Sequence, residues 1–407
     1  MLYVKLAWRN LFRNKRRTLI SSLAIGMGLA SLILSDGFMV GLVRVMVNLA
    51  TSSFLGEAQI NAAGFRQTQD VQKTITDPQG ILNELSNDDL VDKYSPRVLS
   101  LAMISSPANV SGVSLIGIDP AWEKHLTKID EAVVQGDYFT GDDNREIVLG
   151  IKLAEILEVE LGDRIVLTVS QAHSGDLSQE MFRISGIYDM KDRSMNSGLA
   201  FIRLSRAQKM LGLGDNIHQI AIKFKDAKAS ENLQLPFWKH FSANGNEALS
   251  WIQLMPQIKS MIDMSQVSTA IMAVILIGLV AFVILNTLFM SIFERMFEFG
   301  VLRALGTRAL GISKLILFEA GSLAVISIIV GALLGLASTL ILAAVGINYA
   351  GAEFYGLTFN ESIRPEFQIK QYITYPIWVF LFTLVIGIYP AVHAARIQPA
   401  TAMRKSF

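Results

Sequence analysis

The chain has no cysteine among its 407 residues. That excludes a disulfide-stapled scaffold and any thiolate metal site. Charge is scarce: Asp, Glu, Lys and Arg make up 17% of the chain, against roughly 25% in ordinary soluble domains. With 51% hydrophobic residues, a disordered polypeptide is excluded too. The formal net charge of +1 argues against a strongly basic nucleic-acid binder. Several motifs are also missing. The dipeptide Gly-Lys does not occur, so there is no Walker A loop to surround phosphates with backbone N–H groups. There is no H-E-x-x-H and no G-x-S-x-G, and His125, His173, His218, His240 and His393 lie far apart. Asp142 and Asp143 fall in a turn, and Glu155, Glu158 and Glu160 on an exposed helix. Both groups read as solvated surface rather than general acids or bases. The sequence therefore predicts no catalytic residue, no metal ligand and no cofactor held by this chain.

What the chain does have is long stretches without charge. Thr18–Ser35, Met264–Phe293, Ala320–Ala352 and Gln371–His393 contain no Asp, Glu, Lys or Arg. A helix rises about 1.5 Å per residue, so about 20 residues cross a ~30 Å hydrocarbon layer. All four windows can span. The first continues apolar beyond Asp36, which predicts a helix over 18–47 with an outer stalk. A signal peptide is the rival for this window, but no A-x-A-like cleavage site follows it, which favours an uncleaved anchor. The predicted fold class is an α-helical membrane protein: four transmembrane helices with a large mixed α/β extracytoplasmic domain between helices 1 and 2. The predicted segments are a cytoplasmic amphipathic helix at 1–17, spans at 18–47, 267–293, 315–345 and 371–393, and an outer domain at 48–266. A cytoplasmic loop at 294–314, a short outer loop at 346–370 and a cytoplasmic tail at 394–407 complete the chain.

Basic residues orient it. Segments 1–17, 294–314 and 394–407 share one side of the membrane and together carry 13 basic and two acidic residues, which predicts that both termini are cytoplasmic. Residues 48–266 hold 28 acids and 20 bases, and the remainder holds 16 bases and seven acids. The net charge of +1 is thus the sum of −8 and +9. Within 48–266, strands are expected at Glu146–Leu149, Arg164–Val169, Met181–Ile187, Gly198–Ile202 and Gln219–Phe224. Helices are expected at Ile151–Glu158 and Ser205–Leu211, and residues 66–96 read as helix plus loop.

Three motifs carry information. Near the N-terminus, Lys5, Arg9 and Arg13 recur at four-residue spacing, with Leu6, Leu11 and Phe12 marking an apolar side. This pattern fits a helix at the inner membrane surface, with Trp8 at headgroup level and Arg16 and Arg17 following. A plain topogenic basic cluster is the alternative. After the second span, Glu294 and Glu298 are four apart, while Phe293, Phe297, Val301 and Leu305 form another face and Gly306 ends the helix. A short charged helix here suits docking to a soluble partner; a simple reversal of direction is the alternative. The third motif is the ending, from Tyr389-Pro390 through Met403-Arg404.

Together these motifs resemble the permease family that includes MacB, the LolC and LolE lipoprotein-release subunits, and FtsX. Glu294, Arg295, Glu298, Gly300, Leu302, Arg303, Ala304 and Gly306 match its pattern after the second span. Pro390, Ala394, Ala395, Arg396, Pro399, Ala402 and Arg404 match its ending, with Met403 where Leu is usual. Ala7 through Arg13, with Arg17 and Thr18, match its opening. Val148-Leu149-Gly150, Leu153-Ala154 and Leu161-Gly162-Asp163 look like its outer domain.

The resemblance implies a permease subunit of an ABC transporter in a bacterial inner (plasma) membrane. ATP and Mg would be bound by a separate cytoplasmic ATPase. A second permease chain, identical or not, would complete the complex. Glu294, Arg295, Glu298, Gly300, Arg303, Ala304 and Gly306 would form the coupling helix seated on the ATPase, and the outer domain would move with ATP hydrolysis. Leu34 through Phe38, with Gly56 through Ile60, look most like LolC and LolE, which implies lipoprotein or other lipid-linked cargo. An FtsX-like regulator of an outer partner and a MacB-like efflux permease remain alternatives. Met39, Met46, Met255, Met261 and Met264 fall near the outer ends of the first two spans. They read either as an adaptable cargo cleft or as ordinary stalk packing. Gly331 and Gly335 suit either close helix approach or helix flexibility.

Overall fold

The computed structural model describes residues 2–139, 145–190, 192–349, 353–354, 357–358 and 362–396. The expected turn at Gly141–Asn144 and the positions Pro399, Ala402, Met403 and Arg404 lie outside the described residues. The chain divides into two compact units. One comprises Met1–Arg44, Met261–Asn348 and Ser362–Phe407; the other comprises Val45–Ser260 and Tyr349–Glu361.

Among the described residues, four helices are long and apolar enough to cross a membrane. The α-helical runs are Lys15–Ala50, Pro256–Glu294, Ala309–Val345 and Ile369–Ala395. They are called the first to fourth long helices below. The first has 36 residues, or about 54 Å at 1.5 Å per residue, well beyond one hydrocarbon layer.

Two kinds of contact hold the first unit together. Ile25, Leu29 and Ile33 of the first long helix pack with Ile284 and Leu288 of the second and Ile316, Ala320 and Leu323 of the third. Small residues then let backbones approach. A Cβ built on Gly331 would lie 2.8 Å from the Gly26 carbonyl oxygen and 2.9 Å from Leu29 Cβ. Gly335 faces Ile33 in the same way. Gly331 and Gly335 of the third long helix therefore serve close approach to the first, the small-residue packing expected in lipid. Outward-facing Val274, Phe282, Leu333 and Val385 stay exposed, as a lipid-facing surface requires.

The second unit is built on a ten-stranded sheet. Its strands are β1 (Ala58–Ala62), β2 (Val91–Ser105), β3 (Val110–Ile118), β4 (Val133–Gly136), β5 (Glu146–Gly150), β6 (Arg164–Ser170), β7 (Leu177–Tyr188), β8 (Leu199–Arg203), β9 (Gln219–Phe224) and β10 (Asn246–Ser250). They lie in the order β10-β1-β9-β2-β3-β8-β5-β7-β4, with β6 paired to β2 and β7. Only β3 with β8 and β5 with β7 run parallel. Successive residues point to opposite faces of a strand. Ile147 and Leu149 of β5 accordingly join one apolar cluster, while Val148 joins the cluster on the other face with Tyr188 and Phe201. Gly150 ends β5 where a Cβ would collide with the Asn196 backbone, and the helix Ile151–Leu157 starts there.

Two expectations need correction. Residues 66–96 do form the short helix Phe65–Thr68 and the helix Pro78–Asn87. From Val91 onward, however, the chain is strand β2, not loop. Asp92, Lys93 and Pro96 hide the alternation there, and pairing to β9 supplies the missing order. On the N-terminal helix Leu2–Leu11, Ala7 and Leu11 are buried, whereas Leu6 is exposed. Positions four apart share a helix face, so Ala7 accompanies Leu11 and Leu6 does not.

Candidate coupling site and cavity

Leu2–Leu11 leads through a 3₁₀ turn, Phe12–Asn14, into the first long helix. The Thr18 hydroxyl donates to the Leu11 carbonyl at 2.6 Å, which ties the two helices across the turn. At the far end of the second long helix, Arg295 leaves helical geometry with φ −115° and ψ 17°. A new helix, Met296–Ala304, follows. Gly306 closes this segment at φ +92°, a left-handed conformation that glycine adopts without a Cβ clash.

Ion pairs join these segments. Arg13 Nη1 donates to Glu298 Oε1 at 2.8 Å, and Arg17 Nη1 to Glu294 Oε2 at 2.6 Å. Arg295 Nε donates to Glu298 Oε2 at 2.9 Å, and its Nη1 to Glu319 Oε2 at 3.2 Å. The Ser291 hydroxyl donates to Glu319 Oε1 at 2.7 Å. The result is an alternating chain, Arg13–Glu298–Arg295–Glu319, with the Arg295 guanidinium also 5.1 Å from the Phe299 ring centre.

Burial separates its two ends. The Arg13 and Glu298 side chains are 56% and 43% exposed, whereas Arg295 and Glu319 are 9% and 4% exposed. An exposed pair contributes about 0–1 kcal/mol. Removing one partner of a buried pair costs about 3–5 kcal/mol, because a charge is left without compensation. Partial burial pushes the Glu298 carboxyl up, but the bonds from Arg295 and Arg13 outweigh it and hold the group below its ordinary range. The hydrogen bond that Arg13 donates to Glu298, and then the charge of that carboxylate, raises the Arg13 pKa.

Glu294, Arg295 and Glu298 are therefore brought together, with Gly300 buried and Arg303 half-buried beside them. Ala304 and Gly306 are exposed, and so are Phe297, Leu302 and Leu305. Of the N-terminal set, Lys5, Arg9 and Arg16 are exposed and Trp8 is 46% exposed. The sequence analysis missed Glu319 and Ser291. A lone acid ten residues into an apolar helix was the available signal.

A cavity of about 460 Å³ lies between Asp36, Met39, Val40 and Val43 of the first long helix and Ile262, Ser265, Thr269 and Ala273 of the second, closed by Tyr375 of the fourth. Asp36 and the Tyr375 side chain share a hydrogen bond. Of the five methionines, Met39 lines this cavity. Met46 is 1% exposed and Met264 is 71% exposed, and Met255 and Met261 are half-buried.

Two family models cover most of the chain. Residues 18–234 match the MacB-like periplasmic core domain, more than half of the 407 residues, and residues 270–399 match the FtsX-like permease C-terminal. The chain belongs to the MacB/FtsX family of ABC transporter permeases. As a member of that family it is a multi-pass membrane protein with an α/β core domain between its first two long helices. It is 23% identical over 396 residues to the lipoprotein-releasing system transmembrane protein LolE of Haemophilus influenzae, covering 94% of this chain and 93% of that one. It is 20% identical over 408 residues to the lipoprotein-releasing system transmembrane protein LolC of Neisseria meningitidis serogroup B, covering 95% and 94%. Among solved structures, the periplasmic region of MacB from Actinobacillus actinomycetemcomitans aligns with a TM-score of 0.36 at 16% identity, over 53% of this permease and 98% of that chain. Within this permease, the ion-paired residues Glu294, Arg295, Glu298 and Glu319 fall inside the FtsX-like match.

Proposed function

We propose that this permease takes its motion from a separate cytoplasmic ABC ATPase and uses it to release lipoproteins or another lipid-linked cargo at the outer membrane–water boundary. Similarity to LolE and LolC over nearly the whole chain supports the cargo class. The observation that carries the coupling role is the segment 294–306, held by ion pairs to the first and third long helices. Any push on Met296–Ala304 reaches both helices through these bonds. Phe297, Leu302 and Leu305 give the exposed apolar surface that an ATPase groove would cover.

In this reading the ATPase binds ATP and Mg, and a second permease chain completes the complex. Both termini and the coupling segment are cytoplasmic, in a bacterial inner membrane, and residues 48–266 lie outside. Lys5, Trp8, Arg9, Arg13, Arg16 and Arg17 meet the inner lipid surface. The cavity beside Met39 takes acyl chain, and Met261 and Met264 of the same unit extend that path along the second long helix.

The test is co-purification of the permease with a co-expressed ABC ATPase, followed by ATP hydrolysis with and without purified lipoprotein. Stimulation by lipoprotein, together with crosslinks from a photoreactive residue at Val43 to its lipid moiety, is the expected result. Association with the ATPase but no lipoprotein response would instead favour an FtsX-like regulator. Absence of association would remove the proposed coupling to a separate ATPase.

A further inference from the structure

The coupling segment is tied on two sides by bonds of different character. Arg295 and Glu319 form a buried anchor, while Arg13 reaches Glu298 at an exposed edge and the half-buried Arg17 reaches the partly exposed Glu294. The carboxylates that satisfy Arg13 and Arg17 come from the coupling segment itself.

Three features mark this edge as a place where an anion can enter. Lys5, Arg9, Lys15 and Arg16 are exposed around it and make a strongly positive surface. The Arg17 Nε–H is buried without a hydrogen-bond partner among the described residues. One donor of that guanidinium thus has no acceptor, although its planar shape suits two-point binding of a phosphate. Arg13 sits in the 3₁₀ turn Phe12–Asn14, a tighter and weaker element than the helices on either side. A small rotation there re-aims its side chain. An exposed ion pair is also a weak tie, comparable to the attraction of one basic side chain for an anionic leaflet.

We propose that Arg13 and Arg17 form an exchangeable latch. The phosphate of an anionic phospholipid in the adjacent leaflet displaces Glu298 and Glu294 from them and loosens the helix Met296–Ala304 while the Arg295–Glu319 anchor holds. The surface charge of the membrane thereby sets how readily the coupling helix can move. The inference rests on the membrane placement of the N-terminal helix proposed above, but not on the ATPase or the cargo.

The full permease is reconstituted in nanodiscs of phosphatidylcholine alone and of equal parts phosphatidylcholine and phosphatidylglycerol. Hydrogen exchange is then followed in peptides covering 296–304. Exchange is expected to be at least roughly fivefold faster in the anionic discs, since losing the exposed Arg13–Glu298 pair alone gives about that change and the Arg17–Glu294 pair is lost with it. Arg13→Gln with Arg17→Gln should exchange fast in both lipids, and Arg13→Lys with Arg17→Lys should keep the lipid dependence. If the glutamine pair does not fold, Glu294→Gln with Glu298→Gln opens the same latch from the other side and should also be fast in both. Equal wild-type rates in the two lipids overturn the latch, as does lipid dependence that survives loss of both arginines or both glutamates. Inorganic phosphate added to phosphatidylcholine discs should have no effect; acceleration equal to that of the lipid would overturn the lipid as the ligand. Loss of ATPase association leaves this measurement readable, so failure of the functional reading and failure of the latch can be told apart.

Discussion

Arg295 and Glu319 meet at 3.2 Å inside the helical unit, 24 residues apart in sequence and almost wholly removed from solvent. Arg295 also bonds Glu298, and Glu319 also accepts from Ser291. One guanidinium thus links the helix Met296–Ala304 to the third long helix at a turn where the backbone itself has left helical geometry.

Breaking that pair from one side should be costly. Arg295→Met leaves Glu319 buried with only Ser291, and about 3–5 kcal/mol of stability should be lost. Arg295→Met with Glu319→Leu should recover much of it, since neither charge then needs compensation. Thermal unfolding of the detergent-solubilised permease across this double-mutant cycle gives the coupling energy. Additive losses would show that the two side chains do not act as a pair.

The Glu298→Lys substitution sets a third cation against Arg13 and Arg295. It removes two ties of about 0–1 kcal/mol each and adds repulsion. Association with a co-expressed ABC ATPase, or stimulation of its hydrolysis, should fall several-fold in a pull-down or phosphate-release assay, with Glu298→Gln intermediate. Wild-type association by the lysine variant would count against docking at this helix.

Close approach of the first and third long helices makes a steric prediction. Gly331→Val would push a side chain into the Gly26 carbonyl and Leu29. Overpacking of this kind costs about 1–3 kcal/mol. The variant should melt earlier, whereas Gly278→Ala should be near neutral because nothing lies within 4 Å of its Cβ direction. A Gly331→Val protein with an unchanged melt would indicate that these helices do not pack as described.

The outer domain should weaken in acid through His218. Its Nδ1 accepts from the Leu99 N–H at 3.0 Å, and its Nε2–H donates to the Val71 carbonyl at 2.9 Å. The ring also stacks on Phe65. Burial lowers its pKa below the ordinary value, so the unfolded chain takes up a proton more readily than the folded one. Stability is therefore lost as pH falls through about 6.5 toward the folded value, at up to about 1.4 kcal/mol per pH unit. Hydrogen exchange at Leu99, corrected for intrinsic rate, should speed up between pH 7.5 and 5.5 in the wild type and much less in His218→Gln. An equal response in both would assign the acid sensitivity to another group.

Much of the fold was legible because its signals are local. Val148, Leu149 and Gly150 read as strand and stop without knowledge of Asn196, the residue that makes glycine necessary there. The strand from Val91 was not legible, since Asp92, Lys93 and Pro96 obscure its alternation and the pairing that orders it comes from residues near 220. The ion-paired residues were visible as two i, i+4 pairs, Arg13 with Arg17 and Glu294 with Glu298. Their charges are complementary at the same spacing, yet nothing in the linear order says that they meet. Glu319 was not legible as a partner, because in the linear sequence it only borders the charge-free run Ala320–Ala352.

By itself, the sequence determined the four long apolar helices, the inserted acidic domain and the membership of Glu294–Gly306 in a recognisable motif. Those properties follow from composition, spacing and helical periodicity, which act over a few turns of chain. Only the tertiary structure decided that Arg13, Arg295 and Glu319 share one line of charge, that Gly331 faces Gly26, and that Met39 lines a cavity beside Asp36. Such contacts join residues tens to hundreds of positions apart. Their energies depend on burial and distance, and both exist only once the helices have packed.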